Sequence, residues 1–443
     1  MSQIELQPRK HAADGTTADS STVGSMANGA PNGSVAGKET ISGASRAQRI
    51  QARLQFAALC WCLFLGGWND GTTGPLLPRI QKFYGVGFAV VSLLFVFSCV
   101  GFVAGALINV PLTDKLGFGK ILVIGSLCQV IGYTLQAPAL PFPVFVISYF
   151  LNGIGIALQD AQANGYVAAF KDSPEAKMAF LHAAYGAGAL CSPLAATQFA
   201  QMRHWSFHYL ISLGIAISNS IVLTTVFQFK TQDECLEQIG QAATEQGTSL
   251  EGKFKQILSH KTVHLLAFFI LLYVGVEVTI GGWIVTFIIN VRGGGPSSGY
   301  ISAGFFGGLM AGRVLLLWVN QKIGERRALF LYAILAIGLE LVVWLVPSLI
   351  GGAVAVSLVG VLLGPMYPIA INQTARVLPR WILTGSIGWI AGFGQAGSAV
   401  LPFLTGIISS KFGIASLQPL LITMMGLLIV VWAFVPKGPR RAE

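Results

Sequence analysis

Charge is scarce in this chain. Asp, Glu, Lys and Arg make up only 10% of its 443 residues, against 53% hydrophobic, and mean hydropathy is +0.67. Soluble proteins carry about 25% charged residues, so most of this surface is not built for water. Cysteine is sparse and scattered. Of Cys60, Cys62, Cys99, Cys128, Cys191 and Cys235, all but one fall in apolar stretches. Cys60 and Cys62 point to different faces of a helix. A disulfide framework or a metal cluster is therefore not expected, and no cofactor is. No Lys-Ser/Thr follows Gly281-Gly282 or Gly293-Gly-Gly295, so neither is a phosphate loop, and ATP-driven pumping is set aside. No nucleophile–base pair with an oxyanion donor is evident, which argues against an enzyme. No charged n-region and apolar h-region open the chain, so the first apolar segment is expected to act as its own targeting signal.

What the chain has in abundance is apolar runs of about 20 residues, recurring from Leu54 to Val435. They read as an all-α integral membrane protein of about twelve spans, placed near 54–78, 88–110, 120–138, 143–170, 176–200, 207–229, 263–290, 298–318, 328–346, 348–371, 382–409 and 416–435. The Gly/Ser/Ala/Thr-rich stretch 1–49 reads as a disordered cytoplasmic tail. The remaining expected divisions are a first six-helix half over 50–229, a polar central loop over 230–262, a second half over 263–436 and a short tail over 437–443.

The formal net charge is +10. In a soluble protein that excess would suggest nucleic acid. Here the basic residues gather on alternate loops, which the positive-inside rule explains without such a partner. With both termini cytoplasmic, the outer segments hold only Arg79, Lys82, Arg203, Arg292 and Lys411. Arg313 lies within a span, and the other basic residues fall inside.

The two halves resemble each other. Ala104-Gly105, Asp114-Lys115-Leu116-Gly117 and Lys120 are answered by Ala311-Gly312, Gln321-Lys322-Ile323-Gly324 and Arg327, at a constant spacing of 207 residues. Gly66-Gly67-Trp68 is likewise matched to Gly281-Gly282-Trp283. Parallel six-span repeats with a site at their interface are a transporter architecture.

Two acids stand out inside spans: Asp70, in Trp68-Asn69-Asp70, and Asp160, in Gln159-Asp160-Ala-Gln162-Ala-Asn164. A charge at bilayer depth costs about 3 kcal/mol or more on insertion scales. A chain carries one there to line a cavity, hold a proton or neutralise a partner. With Trp, Asn, Gln and glycine neighbours, these acids point to a path for a polar solute.

Asp114-Lys-Leu-Gly-Phe-Gly-Lys120 resembles the signature loop of the major facilitator superfamily, although Val110 stands where that signature opens with Gly. Within the superfamily, the stretches around Asp70 and Asp160 are similar to the fucose:proton symporter group and its fungal relatives. So are Tyr273-Val-Gly-Val-Glu277 and Leu363-Gly-Pro-Met-Tyr-Pro368. Bacterial members carry Glu where this chain has Asp160.

The resemblance implies that the first, fourth and seventh helices line a central cavity. Asp70, Asp160 and Glu277 are then expected to couple protons, with His182 as a relay candidate. A carboxylate in a partly desolvated cavity can hold a proton near neutral pH. Trp68 and Trp283 offer aromatic planes for a sugar or a flat solute. Asn69, Gln159, Gln162, Asn164 and Gln395 offer amides for hydroxyls. Asp114, Lys115 and Lys120 have a gating role in the resemblance. Arg313, at the second repeat's equivalent of Ala106, joins them and needs a carboxylate or helix C-terminus as partner.

The expected function is secondary active transport of a small organic solute by alternating access. The expected partners are that solute, protons and the lipid bilayer, with no nucleic acid. Monosaccharide symport follows if the subgroup governs cargo. The alternatives are an exporter of a fungal secondary metabolite or drug working by proton antiport, and, more remotely, a non-transporting nutrient receptor. A multi-pass monomer is expected in the plasma membrane, with a vacuolar or other internal membrane as the alternative.

Overall fold

The computed structural model describes residues 45–241 and 256–437. The tail expected over 1–49 lies outside the described residues up to residue 44, as do the middle of the central loop and the last six residues. Everything described is helix, turn or loop. In hydrocarbon every backbone N–H and C=O must be satisfied within the segment, which is why apolar runs of this length become helices.

Twelve principal helices follow in order: α1 (Arg46–Tyr84), α2 (Leu93–Leu116), α3 (Phe118–Gln136), α4 (Phe142–Ala168), α5 (Pro174–Ala200), α6 (His208–Phe227), α7 (Lys261–Arg292), α8 (Tyr300–Leu315), α9 (Glu325–Leu345), α10 (Leu349–Leu363), α11 (Arg380–Phe412) and α12 (Leu417–Phe434). Met366–Val377 prolongs α10, and Leu317–Ile323 prolongs α8 after a 49° bend. Among the described residues, 11 helices are long and apolar enough to cross a membrane, or 12 with that bent pair.

The expected spans are recovered with shifted ends. α1 starts eight residues before the expected 54, because Ser45 and Gln48 form a capping box ahead of the basic stretch. The expected loop over 230–262 contains a short helix, Gln232–Gln238, started by a second capping box between Thr231 and Glu234. Buried Gln55 of α1 donates to Cys235 O at 3.3 Å and accepts from Tyr166 of α4 at 2.7 Å. The short helix is thereby pinned beneath the first half.

Each packing pair of the first half recurs six helices later. α1 packs on α5 as α7 does on α11, α2 on α4 as α8 on α10, and α3 on α6 as α9 on α12. The 207-residue spacing holds at the level of atoms. A Cβ on Gly105 would lie 2.8 Å from Ile154 O, and one on Gly312 would collide with Val361 O. Small residues at these crossings let the backbones touch. Gly117 and Gly324 turn the chain into α3 and α9 at φ 83° and 85°, a region that costs an L side chain strain.

The halves meet through α1–α7, α2–α11 and α5–α8. We call the side on which α1 begins and α12 ends the near face. Three hydrogen bonds between the halves sit toward the far face: Ala89 N to Ser410 Oγ at 3.0 Å, Gln201 Nε2 to Pro296 O at 3.2 Å, and Gln198 to the Tyr300 hydroxyl. There Gly74 also abuts Gly281, and Phe88 and Phe95 flank Trp283. The near-face ion pairs, Lys177–Asp172 and Arg376–Glu325, each stay within one half. The halves are thus tied to each other on the far side.

Candidate functional site

Glycines decide where the first acid sits. Gly67 lets α1 lie directly on the Tyr185 carbonyl of α5. The Tyr185 ring then packs over Gly66, and its hydroxyl reaches Asp70 Oδ2 at 2.5 Å. Asn69 Nδ2 donates to Asp70 Oδ1 at 3.2 Å, and Tyr133 of α3 donates to Asn69 Oδ1 at 3.2 Å. Asp70 is exposed, yet its neighbours are Tyr185 of α5, Asp160 of α4 and Glu277 of α7. Helices surround it, so the space it faces is the interior of the bundle and not lipid.

Asp160 is half-buried. Asn164 Nδ2 donates both to its backbone carbonyl and to its carboxylate, each at 2.9 Å. Asp160 borders a small recess of ≈ 20 Å³ with Gln129, Gln159, Tyr185 and apolar groups of α1 and α4. That is room for about one water molecule. Gln159 takes a bond from Gln129 at 2.7 Å and gives one to Leu122 O at 3.1 Å. Its amide is thus held in place at the edge of the recess.

The second half answers with its own set. Glu277 of α7 and Arg313 of α8 are half-buried electrostatic neighbours, with Tyr273 near both. Among the described residues, they form no direct ion pair within 4.0 Å, and Arg313 Nε has no hydrogen-bond partner. Tyr367, beyond α10, neighbours Asp160, Arg313 and Glu277. Adding the same 207 residues to Asp70 gives Glu277, and adding them to Asp160 gives Tyr367. The acids of one half therefore face their repeat equivalents in the other.

Several candidates lie elsewhere. Trp68 is buried, donates to Ser212 Oγ at 2.9 Å and stacks on His208, so its ring serves the α1–α6 contact. Trp283 is fully buried in the far-face seam and donates to Pro402 O at 3.1 Å. The two tryptophans are 215 residues apart, not 207. That difference of about two helical turns is why they are not equivalent. Gln162 is buried against α2, bonded to Asn109 at 2.8 Å and Thr113 at 2.7 Å. Gln395 is half-buried at the α2–α11 contact, where its carbonyl accepts from Cys99 Sγ at 3.1 Å.

His182 is exposed one turn before Tyr185 and neighbours Arg313. Asp114, Lys115 and Lys120 are exposed at the near face, with no ion pair among the described residues. Sequence reasoning missed Tyr185, Tyr273, Tyr367 and Gln129 as site residues. Extending the repeat spacing to the acids would have found Tyr367. Tyr185 had no such signal, since Gly394 takes its place in α11, where the spacing grows to 209.

Comparison with known proteins agrees with this architecture. The Major Facilitator Superfamily profile matches residues 59–380. Bypass of stop codon protein 6 of Saccharomyces cerevisiae is 27% identical over 411 residues, 87% of this chain and 83% of that protein. The glucose/mannose transporter GlcP of Bacillus subtilis is 21% identical over 337 residues, 76% of this chain and 83% of that one. A crystal structure of the E. coli fucose:proton symporter FucP superposes with a TM-score of 0.59 at 15% identity, over 88% of this chain and 100% of that one. With two six-helix repeats closed on one face around an acid-lined interior, the chain belongs to the major facilitator superfamily and is a membrane transporter, not an enzyme.

Proposed function

We propose that this protein moves a neutral polar solute of monosaccharide size across the membrane by alternating access, coupled to protons. The observation that carries the reading is the placement of Asp70 and Asp160 toward one interior space, with hydroxyl and amide donors beside them. Taking a charge out of water favours its neutral form. Protonation of these acids and occupancy by solute would bias the same pair of conformations, and that shared bias is coupling. The sugars named for the B. subtilis relative and the one named for the E. coli symporter support a monosaccharide cargo.

We assign the proton role to Asp70 and Asp160, and solute contact to Gln159, Asn164 and Tyr367. Basic residues cluster on the near face, which supports a cytoplasmic near face and cytoplasmic termini. The plasma membrane is the proposed site. Transport assays in proteoliposomes with an imposed pH gradient test the reading. Labelled glucose, mannose and fucose are offered, and at least one should accumulate in wild type. Asp160→Asn should abolish that accumulation while counterflow exchange persists. Full pH-driven accumulation in Asp160→Asn overturns the proton assignment. If no hexose moves and expression confers resistance to a toxic metabolite, proton-coupled export replaces uptake.

A further inference from the structure

We infer that the recess beside Asp160 is a built water site, in which one bound water bridges Gln129 of α3 to the Asp160 carboxylate of α4. The site stands apart from the proton-coupled reading above; only its part in coupling rests on that reading.

α3 and α4 meet glycine against amide. A Cβ on Gly125 would press on Gln159 Cγ and one on Gly155 on Gln129 Cγ, each at 2.8 Å, and one on Gly132 would collide with the Asn152 side chain. Small residues thus let each helix seat the amides of the other. Gln129, Gln136, Asn152 and Gln159 are all buried, none more than 2% exposed. The fold does not require amides there. Adding 207 residues gives Ala336, Val343, Val359 and Met366, all buried in the second half. The register holds along these helices. Gly117 and Gly324 open α3 and α9 alike, and Gly153 and Gly360 abut Ser98 O and Phe305 O in turn. The amides belong to the half that carries Asp160.

Hydrogen bonds fix which atom faces the recess. Leu122 O can only accept, so Gln159 Nε2, which reaches it at 3.1 Å, is the donor, and Gln159 Oε1 is left to accept. Gln129 must then present its Nε2 to that oxygen, at 2.7 Å. Its own Oε1 remains, buried and without a hydrogen-bond partner. Gln129, Gln159 and Asp160 line the recess of ≈ 20 Å³, and a water needs roughly 10–15 Å³ with polar partners around it. Across the recess, the Asp160 carboxylate takes a bond from Asn164 at Oδ1 and keeps lone pairs to spare. Of the other titratable groups, Cys62 and Tyr185 line the recess, and Asp70 and Tyr367 neighbour Asp160. The Tyr185 hydroxyl is committed to Asp70.

An orphaned acceptor on α3 opposite an anion on α4 calls for a ligand with two donors, and water has both in the space given. It donates one O–H to Gln129 Oε1 and the other to Asp160. A carboxylate at bilayer depth thereby gains a donor that does not depend on cargo, and Gln129 is the positioning residue that holds it.

A structure of the full chain at a resolution that shows ordered water should place one within hydrogen-bond reach of Gln129 Oε1 and Asp160. Gln129→Met keeps the length of the side chain and removes the amide, so the water should be lost. Should that variant fail to fold, Gln129→Ala, which installs the residue type of Ala336 in the second repeat, serves in its place. Transport is read in proteoliposomes with glucose, mannose and fucose. The ratio of pH-driven accumulation to counterflow should fall in the variant by roughly 5–150-fold, the usual span of a coupling free energy. No water in wild type, or the same water in Gln129→Met, overturns the inference. An unchanged ratio in the variant overturns the positioning role. If wild type holds the water but accumulates no hexose, the proton-coupled reading fails while the water site stands.

Discussion

Asp70 and Glu277 occupy the same place in the two repeats, 207 residues apart, and look into one space from α1 and α7. Their surroundings differ. Asp70 takes hydrogen bonds from neutral donors, whereas Glu277 sits beside a guanidinium. A guanidinium offsets part of the cost of holding a carboxylate away from water, and a phenol brings no charge to do so. Equivalent acids are therefore suited to unequal work.

That inequality is measurable. Asp70→Asn should flatten the pH dependence of accumulation, while Glu277→Gln should lower transport at every pH tested and leave the shape of the profile in place. Removing one member of a buried pair costs about 3–5 kcal/mol, and Arg313 is only half-buried, so Glu277→Gln should show a smaller loss in thermal unfolding. A flattened profile in both variants would reject the distinction.

Trp68 separates packing from cargo stacking. Trp68→Phe removes the bond to Ser212 and should cost about 0.5–1.5 kcal/mol, seen as a lower Tm in detergent. Half-saturation for a transported hexose should stay within about twofold of wild type, an effect below roughly 0.4 kcal/mol. A large loss of affinity at unchanged Tm would return the ring to the solute.

The α2–α4 crossing should tolerate no added volume. Gly105→Val brings a side chain against Ile154 and Ala157, and Gly312→Val meets Val361 in the same way. Overpacking of this kind costs about 1–3 kcal/mol. Thermal unfolding should fall in both, and by similar amounts, because the crossings are repeats of one geometry.

The far-face seam offers a conformational lever. A side chain at Gly74 would collide with the Gly281 carbonyl, so Gly74→Leu should hold the far side apart and favour the opposite state. Labelling of far-face positions by a membrane-impermeant reagent from the far side should rise. Unchanged labelling would mean that the seam yields elsewhere.

Much of this architecture was legible in the residues. Apolar length located the helices, and the spacing between Gly105, Lys115, Gly117, Lys120 and their partners revealed the repeat. Helix ends were harder, because the start of α1 depends on the Ser45–Gln48 cap and not on hydropathy. Asp70 and Asp160 were recognisable because a carboxylate is costly in hydrocarbon. Trp68 and Trp283 misled for the converse reason: an indole is equally at home in a packed interior, and its sequence neighbours do not say which way it points. Tyr185 was invisible because nothing local marks it. Its importance comes from α1 and α5 touching at Gly67.

The uniform interval linking Asp70 to Glu277, Lys120 to Arg327 and Asp160 to Tyr367 also speaks to ancestry. Across that whole stretch neither copy is longer than the other by a net residue, as expected of two copies of one six-span unit. Side chains were free to drift, as Ala106 opposite Arg313 attests, but length was not. Insertions engineered into the turns after α1, α2 or α3 should accordingly be purged far more readily than insertions into the segment that fuses the copies.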